Sequence, residues 1–380
     1  MKLPKSLQDK LSVRKENNAL RILKTQSPLI DFATNDYLGF SRSKTIFEKT
    51  HQLLLDRNLA QNGATGSRLL SGNHELYFET EKYIAQFHQS EEALIFNSGY
   101  DANVGFFSSV PQRNDIILYD ELSHASIRDG IQMSLAKSFK FKHNNLEDLE
   151  KILQRCKTEL VEIYIVTESI FSMDGDSPDL EKLVTLSDKY NAFLIIDEAH
   201  ALGVIGTNGE GLVQKFNLQD KVFARIMTFG KALGCHGAAV LGSENLKEYL
   251  INFSRSLIYT TALSPHSVAT ILISYKELAL SQNLIRILND NSNYFNIIAS
   301  KFDFSIPNVS PIKSIVISGN EKVKQVASLI NEKGFDVKPI LSPTVQQGHE
   351  RLRFCLHSYN TKQEIEDVLE TLQQILKEKQ

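Results

Sequence analysis

Cysteine is scarce in this chain of 380 residues: Cys156, Cys235 and Cys355 are three, odd in number and widely spaced. That excludes a disulfide framework and a thiolate metal site, so no metal is expected, and it fits a reducing cytoplasm. No apolar run approaches the length of a membrane span, and a net charge of −3 supplies no general basic field for nucleic acid. Neither a membrane nor a nucleic-acid partner is therefore expected. The sequence has no internal repeat and no low-complexity segment. Its first 24 residues hold seven basic side chains against two acidic ones but no apolar h-region, so they do not read as a secretory signal. They read as a helix whose basic face is either simply solvated or turned to an anionic substrate.

What is present is an ordinary globular composition, 42% hydrophobic and 23% charged, with a mean hydropathy of −0.21. The length predicts about two domains with ample core. After turn formers around Asp36-Tyr37-Leu38-Gly39 comes a glycine-rich loop over 62–72, whose Arg68 and glycines would permit close backbone approach to an anion. A helix over 75–87 then presents Leu76, Tyr83, Ile84 and Phe87 at helical spacing. From there short apolar strands, over 93–96, 116–119, 163–167, 193–197, 225–229 and 238–242, alternate with helices such as 146–156 and 180–190. That pattern predicts an α/β fold with a mostly parallel sheet flanked by helices, where ligands sit at the carboxyl ends of the strands. The C-terminal part, with helices near 323–331 and 365–376 and strands near 314–317 and 352–356, predicts a smaller α+β domain. The expected boundaries are an N-terminal arm over 1–45, a large domain over 46–268 and a small one over 269–380.

Polar residues just past each strand are the candidates for chemistry. After the first strand, Asn97-Ser98-Gly99-Tyr100 opens a helix through Asn103 and Phe107. Its free N–H groups and dipole suit a phosphate, although Ser98 could simply cap the helix. After the second, His124 could stack on an aromatic ligand or merely begin a helix. The loop over 167–178 is acidic but lacks the glycine and glutamate spacing of an EF-hand. Asp197-Glu198-Ala199-His200 ends the fourth strand and invites a nucleotide-hydrolase reading. The G-x-x-x-x-G-K-[ST] loop which that reading needs is absent, because Gly230-Lys231 is preceded by Arg225 where a glycine is required and followed by Ala232. Asp197 alternatively suits a protonated pyridine nitrogen, with His200 reaching a ring substituent. Lys231 lies between Gly230 and Gly234 and between two apolar strands. A loop lysine is ordinarily solvated, but burial lowers an amine's pKa and makes it a nucleophile for Schiff-base chemistry.

A lysine for a carbonyl, an aspartate for a pyridinium, a helix start for a phosphate and a histidine for a ring describe a pyridoxal phosphate site. In family order the sequence resembles the α-oxoamine synthases, pyridoxal phosphate enzymes of fold type I. The resemblance runs through Asn35-Asp36-Tyr37-Leu38-Gly39, Ser98-Gly99-Tyr100, Leu122-Ser123-His124-Ala125-Ser126 and Phe171-Ser172-Met173-Asp174-Gly175-Asp176. It continues through Asp197-Glu198-Ala199-His200, Thr228-Phe229-Gly230-Lys231-Ala232-Leu233-Gly234 and Pro343-Thr344-Val345 with Arg351-Leu352-Arg353.

The resemblance implies that Lys231 carries pyridoxal 5'-phosphate and acts as a base, that Asp197 pairs with its ring nitrogen, and that His124 stacks on the ring. Gly99 and Tyr100 would lie at the cofactor, Ser172 and His200 would contact its polar substituents, and Thr228 its phosphate region. Arg21, Thr344 and Arg353 would bind substrate, although Arg351 and Arg353, on one strand face, are equally read as solvent-exposed. Where many relatives follow Thr-Val with proline, this chain has Gln346-Gln347. The implied reaction is a decarboxylative condensation of L-alanine with a pimeloyl thioester, on coenzyme A or an acyl carrier protein, as in biotin biosynthesis. The implied assembly is a homodimer in which the arm joins the small domain and Tyr259-Thr260-Thr261 serves the partner's site. A glycine C-acetyltransferase shares every cofactor residue, and a non-catalytic subunit of the same fold could lack the lysine.

Overall fold

The computed structural model describes residues 3–23, 25, 28–156, 161–304, 306 and 308–378. Lys2 and Lys24 of the basic stretch lie outside the described residues. The chain divides into two compact units: residues 35–172 with 176–287, and residues 1–34 with 173–175 and 288–380.

In the larger unit seven strands form one sheet, in the order Glu92–Phe96, Ala238–Gly242, Ala224–Thr228, Phe193–Asp197, Ile163–Glu168, Ile116–Asp120, Lys137–Phe141. Ala238–Gly242 runs antiparallel to both of its neighbours and the other pairs are parallel, so six strands point the same way. Their carboxyl ends share one edge. The central strands are apolar almost throughout because helices cover both faces, and every residue of Ile163–Glu168 is buried. Phe96, Phe106, Phe107, Ile117, Ile127, Val166, Ile195, Ile226 and Val240 form a continuous core between the sheet and the helices Gly99–Ser109 and Ala125–Met133. Burying each of these side chains stabilises the unit by about 1.5–3 kcal/mol.

Among the departures from the sequence expectation are an unforeseen strand and a longer one. Lys137–Phe141 is a strand that the apolar pattern misses, because four of its five residues face solvent at the sheet's edge, where lysines discourage further pairing. The strand expected over 163–167 runs one residue further, to Glu168.

In the smaller unit Lys338–Ile340, Arg351–Cys355 and Ile312–Val316 make an antiparallel sheet, and Ile30–Asp31 pairs in parallel with Phe335–Asp336. Helices Asn320–Glu332 and Lys362–Glu378 contribute Val323, Val326, Ile330, Ile365, Val368 and Leu372 to its core. The N-terminal helix Lys5–Glu16 buries none of its residues. No helix among the described residues is long and apolar enough to cross a membrane.

Candidate active site

Every large-unit residue singled out by the strand-end argument lies at or just past the shared carboxyl edge. Lys231 stands on the loop joining the antiparallel strands Ala224–Thr228 and Ala238–Gly242. Backbone hydrogen bonds from Phe229 N to Gly237 O (3.0 Å) and from Cys235 N to Phe229 O (3.1 Å) close that loop. Gly234, at φ +60°, completes it: a Cβ there would sit 2.1 Å from Ser41 N, so only glycine lets the chain pass. Lys231 itself is half-buried.

At the end of the strand adjoining Ala224–Thr228, Asp197 is buried at 5% exposure. Its Oδ2 accepts from Asn103 Nδ2 at 2.9 Å and its Oδ1 from Ala199 N at 2.9 Å. Asn103 is itself buried and also donates to Ser126 Oγ at 3.1 Å. An ionised carboxylate has about four lone-pair sites, so two remain for a further donor.

Glu168 is the residue the sequence reading passed over. It is buried and sits in register beside Asp197 on the adjoining parallel strand, so both carboxylates project from the same face. Burial and the neighbouring Asp197 charge push its pKa up to about 8, against the opposing pull of Lys231 and of the hydrogen bond from His124 N (2.6 Å). His124 begins the helix Ala125–Met133, its Nδ1 accepting from Ser126 N at 3.2 Å, and the residue keeps part of its surface exposed. Desolvation by the surrounding protein lowers its pKa; the Asp197 charge opposes this and the Lys231 charge reinforces it. The balance favours the neutral ring. Lys231, Asp197, Glu168 and His124 are thus one electrostatic cluster.

The remaining positions extend that row. Thr228 ends its strand against Gly99, where a Cβ would lie 2.4 Å from Thr228 Oγ1. Ser98 does cap the helix, accepting from Asp101 N at 3.1 Å, and leaves Gly99 and Tyr100 as its first two residues. The Tyr100 ring is exposed and its hydroxyl donates to Asp129 Oδ2 at 2.7 Å. His200 is buried, with Nδ1 2.7 Å from the Tyr37 hydroxyl, which also donates to Asn35 Oδ1 at 3.2 Å. Ser172 is half-buried in the loop after Ile163–Glu168. This donor set fits pyridoxal phosphate: a half-buried amine, a buried carboxylate with spare acceptor sites, a neutral ring, and a helix start whose bare Cα only glycine allows.

Two expectations change. Arg68 of the glycine-rich loop is engaged within the protein: Nη1 donates to Glu81 Oε1 at 2.6 Å and to Ile95 O at 3.2 Å, and its guanidinium stacks 3.9 Å from the Tyr77 ring centroid. Arg351 and Arg353 are buried rather than solvent-exposed, at 7% and 9% exposure. Within the smaller unit Arg351 pairs with Asp174 and donates to His349 O. Arg353 lies opposite Ser314 and Lys338 in its sheet. Arg21 and Thr344 are exposed, with Thr344 N donating to Leu341 O at 2.8 Å. A cavity of about 1130 Å³ in this unit, between the N-terminal helix and the segments around Asn320 and Pro343, has none of Arg21, Thr344 and Arg353 in its lining.

The model of the aminotransferase class I and II family matches residues 27–372. The chain is 40% identical over 390 residues to 8-amino-7-oxononanoate synthase of Emericella nidulans, covering 96% of this chain and 92% of that one. Among solved structures it is similar to 8-amino-7-oxononanoate synthase of Francisella tularensis, with a TM-score of 0.80, 31% identity, and coverage of 92% and 98%. It is also similar to serine palmitoyltransferase of S. paucimobilis with bound PLP and myriocin, with a TM-score of 0.91, 25% identity, and coverage of 100% and 99%.

Proposed function

The chain belongs to the aminotransferase class I and II family, and from that premise we propose that it is a pyridoxal 5'-phosphate-dependent acyltransferase. It condenses L-alanine with a pimeloyl thioester to 8-amino-7-oxononanoate, carbon dioxide and free thiol, the reaction of biotin biosynthesis. The observation that carries this reading is the cluster of Lys231, Asp197, Glu168 and His124 at the strand ends, in a chain 40% identical to a synthase of that name.

When bound, pyridoxal phosphate supplies a carbonyl that captures amines and a ring that draws electrons from the amino acid's Cα. Lys231 Nζ holds that carbonyl between turnovers, takes the alanine Cα proton and returns one to the product. Asp197 offers its spare lone pairs to the ring N–H, with Asn103 and Ala199 N fixing the carboxylate. His124, neutral, stacks on the ring. The N–H groups at Gly99 and Tyr100 and the Thr228 hydroxyl receive the phosphate. Ser172 and His200 face polar ring substituents, and the Tyr37 hydroxyl orients the His200 imidazole. Arg21, Thr344 and Arg353 bind the acyl substrate, Arg353 through a carboxylate. The enzyme works in the cytoplasm as a homodimer, with the arm and small domain of each protomer packed together. Tyr259, Thr260 and Thr261 complete the partner's site; Asn97 Nδ2 steadies that segment by donating to Thr260 Oγ1 and Thr261 O.

Lys231→Ala tests the reading: it abolishes turnover and the visible absorbance of the attached cofactor, and unchanged activity would overturn it. The acyl and amino substrates are separated by assaying alanine and glycine against pimeloyl, acetyl, succinyl and palmitoyl thioesters, on coenzyme A and on carrier protein. Preference for glycine with an acetyl donor would select the glycine C-acetyltransferase reading instead.

A further inference from the structure

We propose that His143 is a positioning residue: its imidazole clamps the loop that carries His124 to the loop that carries Ser172, and so fixes the spacing of two cofactor contacts. The clamp rests on the reading of those two residues given above.

The geometry is specific. His143 follows the edge strand Lys137–Phe141, at the same carboxyl edge as the site. Its Nδ1 donates to Asp120 Oδ1 at 2.9 Å and its Nε2 to Asp176 Oδ2 at 2.8 Å, while its ring meets Phe171 edge-on at 4.5 Å. On one side Asp120 ends its strand and organises the turn into His124, with Oδ1 accepting from Leu122 N and its carbonyl from Ser123 N. On the other side Phe171 N donates to Asp176 O at 3.0 Å and closes the loop around Ser172. His143 therefore holds both ends of the Ser172 loop, one by its ring contact and one by its hydrogen bond, and ties them to the base of the His124 turn.

A neutral imidazole has one N–H, so two carboxylates on opposite nitrogens require the doubly protonated ring. Burial alone would lower the pKa; the hydrogen bonds and charges of Asp120 and Asp176 outweigh it and hold it up at about 10. The other groups facing this point are Glu121, whose carboxylate accepts His143 N at 3.2 Å, and Asn144, whose backbone N donates to Asp120 Oδ2 and whose Nδ2 donates to Asp176 Oδ2 at 2.6 Å while lying 3.3 Å from His143 Nε2. None supplies a second cation. Among the described residues that bond to one another at this junction, the imidazolium is the cation set against three carboxylates.

The experiment compares wild type, His143→Gln and Asp176→Asn as holoenzymes, by hydrogen exchange of the peptides spanning 120–126 and 169–177 and by cofactor dissociation. Expected are exchange at least about fivefold faster in both loops, little change in the strand 193–197, and cofactor bound about tenfold more weakly. Unchanged loop exchange and cofactor affinity in a folded His143→Gln protein would overturn the clamp. Faster exchange spread evenly over the sheet would do so too, because it marks general stability only. If neither variant folds, the wild-type ring decides: NMR titration of His143 is expected to show protonation persisting above pH 8.5, and a midpoint below 7 rejects the proposal. Lys231→Ala is run alongside as a control. If it still attaches the cofactor covalently, the site reading fails; if it does not and His143→Gln is inert, only the clamp fails.

Discussion

Replacing Glu168 by Gln should stabilise the cofactor-free protein, although it removes a buried hydrogen-bonded residue. The side chain is 3% exposed and in register with Asp197, and its pKa lies near 8 against 4.5 for an ordinary glutamate. A raised carboxyl pKa means that the folded state binds the proton more tightly than the unfolded state. Folding is therefore least penalised below pH 4.5 and loses stability as pH rises towards 8. At about 1.4 kcal/mol per pH unit, the interval from 4.5 to about 8 sets a ceiling of about 5 kcal/mol. Local relaxation and water entry around a buried charge take up part of that ceiling, leaving about 2 kcal/mol for the substitution to relieve at pH 8. Glutamine keeps the acceptor that His124 N uses, at 2.6 Å in the wild type. Urea denaturation at pH 5 and pH 8 is the assay. The variant should match wild type at pH 5 and exceed it at pH 8. Equal destabilisation at both values would show that the carboxyl carries no buried charge penalty, and the cluster electrostatics would have to be redrawn.

Gly99→Ala places a methyl group 2.4 Å from Thr228 Oγ1. Overpacking of this kind costs about 1–3 kcal/mol, and cofactor titration should read it as binding roughly tenfold or more weaker; unchanged affinity would remove Gly99 from the cradle. Arg225→Met leaves Glu198 buried without its cation, from a pair 2.7 Å apart with side chains 3% and 0% exposed. Loss of about 3–5 kcal/mol of stability is expected. Urea denaturation measures it, and adding Glu198→Leu should recover much of the loss.

Much of the large unit is legible because its central strands are covered on both faces. Phe193–Asp197 and Ala238–Gly242 stand where the apolar runs predict them. Looking just past such strands finds Asp197, His124 and Lys231. The rule fails where burial fails: Lys137–Phe141 is an exposed edge, so no strand is expected before His143 and its position carries no signal. Glu168 is missed by one residue. With the strand ending at 167 it reads as one acid in a polar loop, whereas one more residue of pairing sets it beside Asp197. Asn103 leaves no local trace, since it reaches Asp197 from inside a helix 94 residues earlier in the chain.

Asp197 and Glu198 show why the same letters can serve different chemistry. In a nucleotide hydrolase both carboxylates of such a pair would be free to face metal and water. Here Glu198 is fully buried and committed: Oε1 accepts from Leu212 N and Val213 N at 2.6 and 3.0 Å, and Oε2 takes the Arg225 guanidinium. Arg225 in turn donates to the carbonyls of His88 and Glu210, so the ion pair ties three segments together. The residue that breaks the phosphate-loop pattern is therefore the one that takes Glu198 out of the chemistry. Asp197, whose carboxylate accepts from Asn103 Nδ2 and Ala199 N, keeps lone pairs for a ligand. One carboxylate holds the scaffold rigid, and its neighbour keeps the acceptor sites that the proposed contact with a ring nitrogen requires.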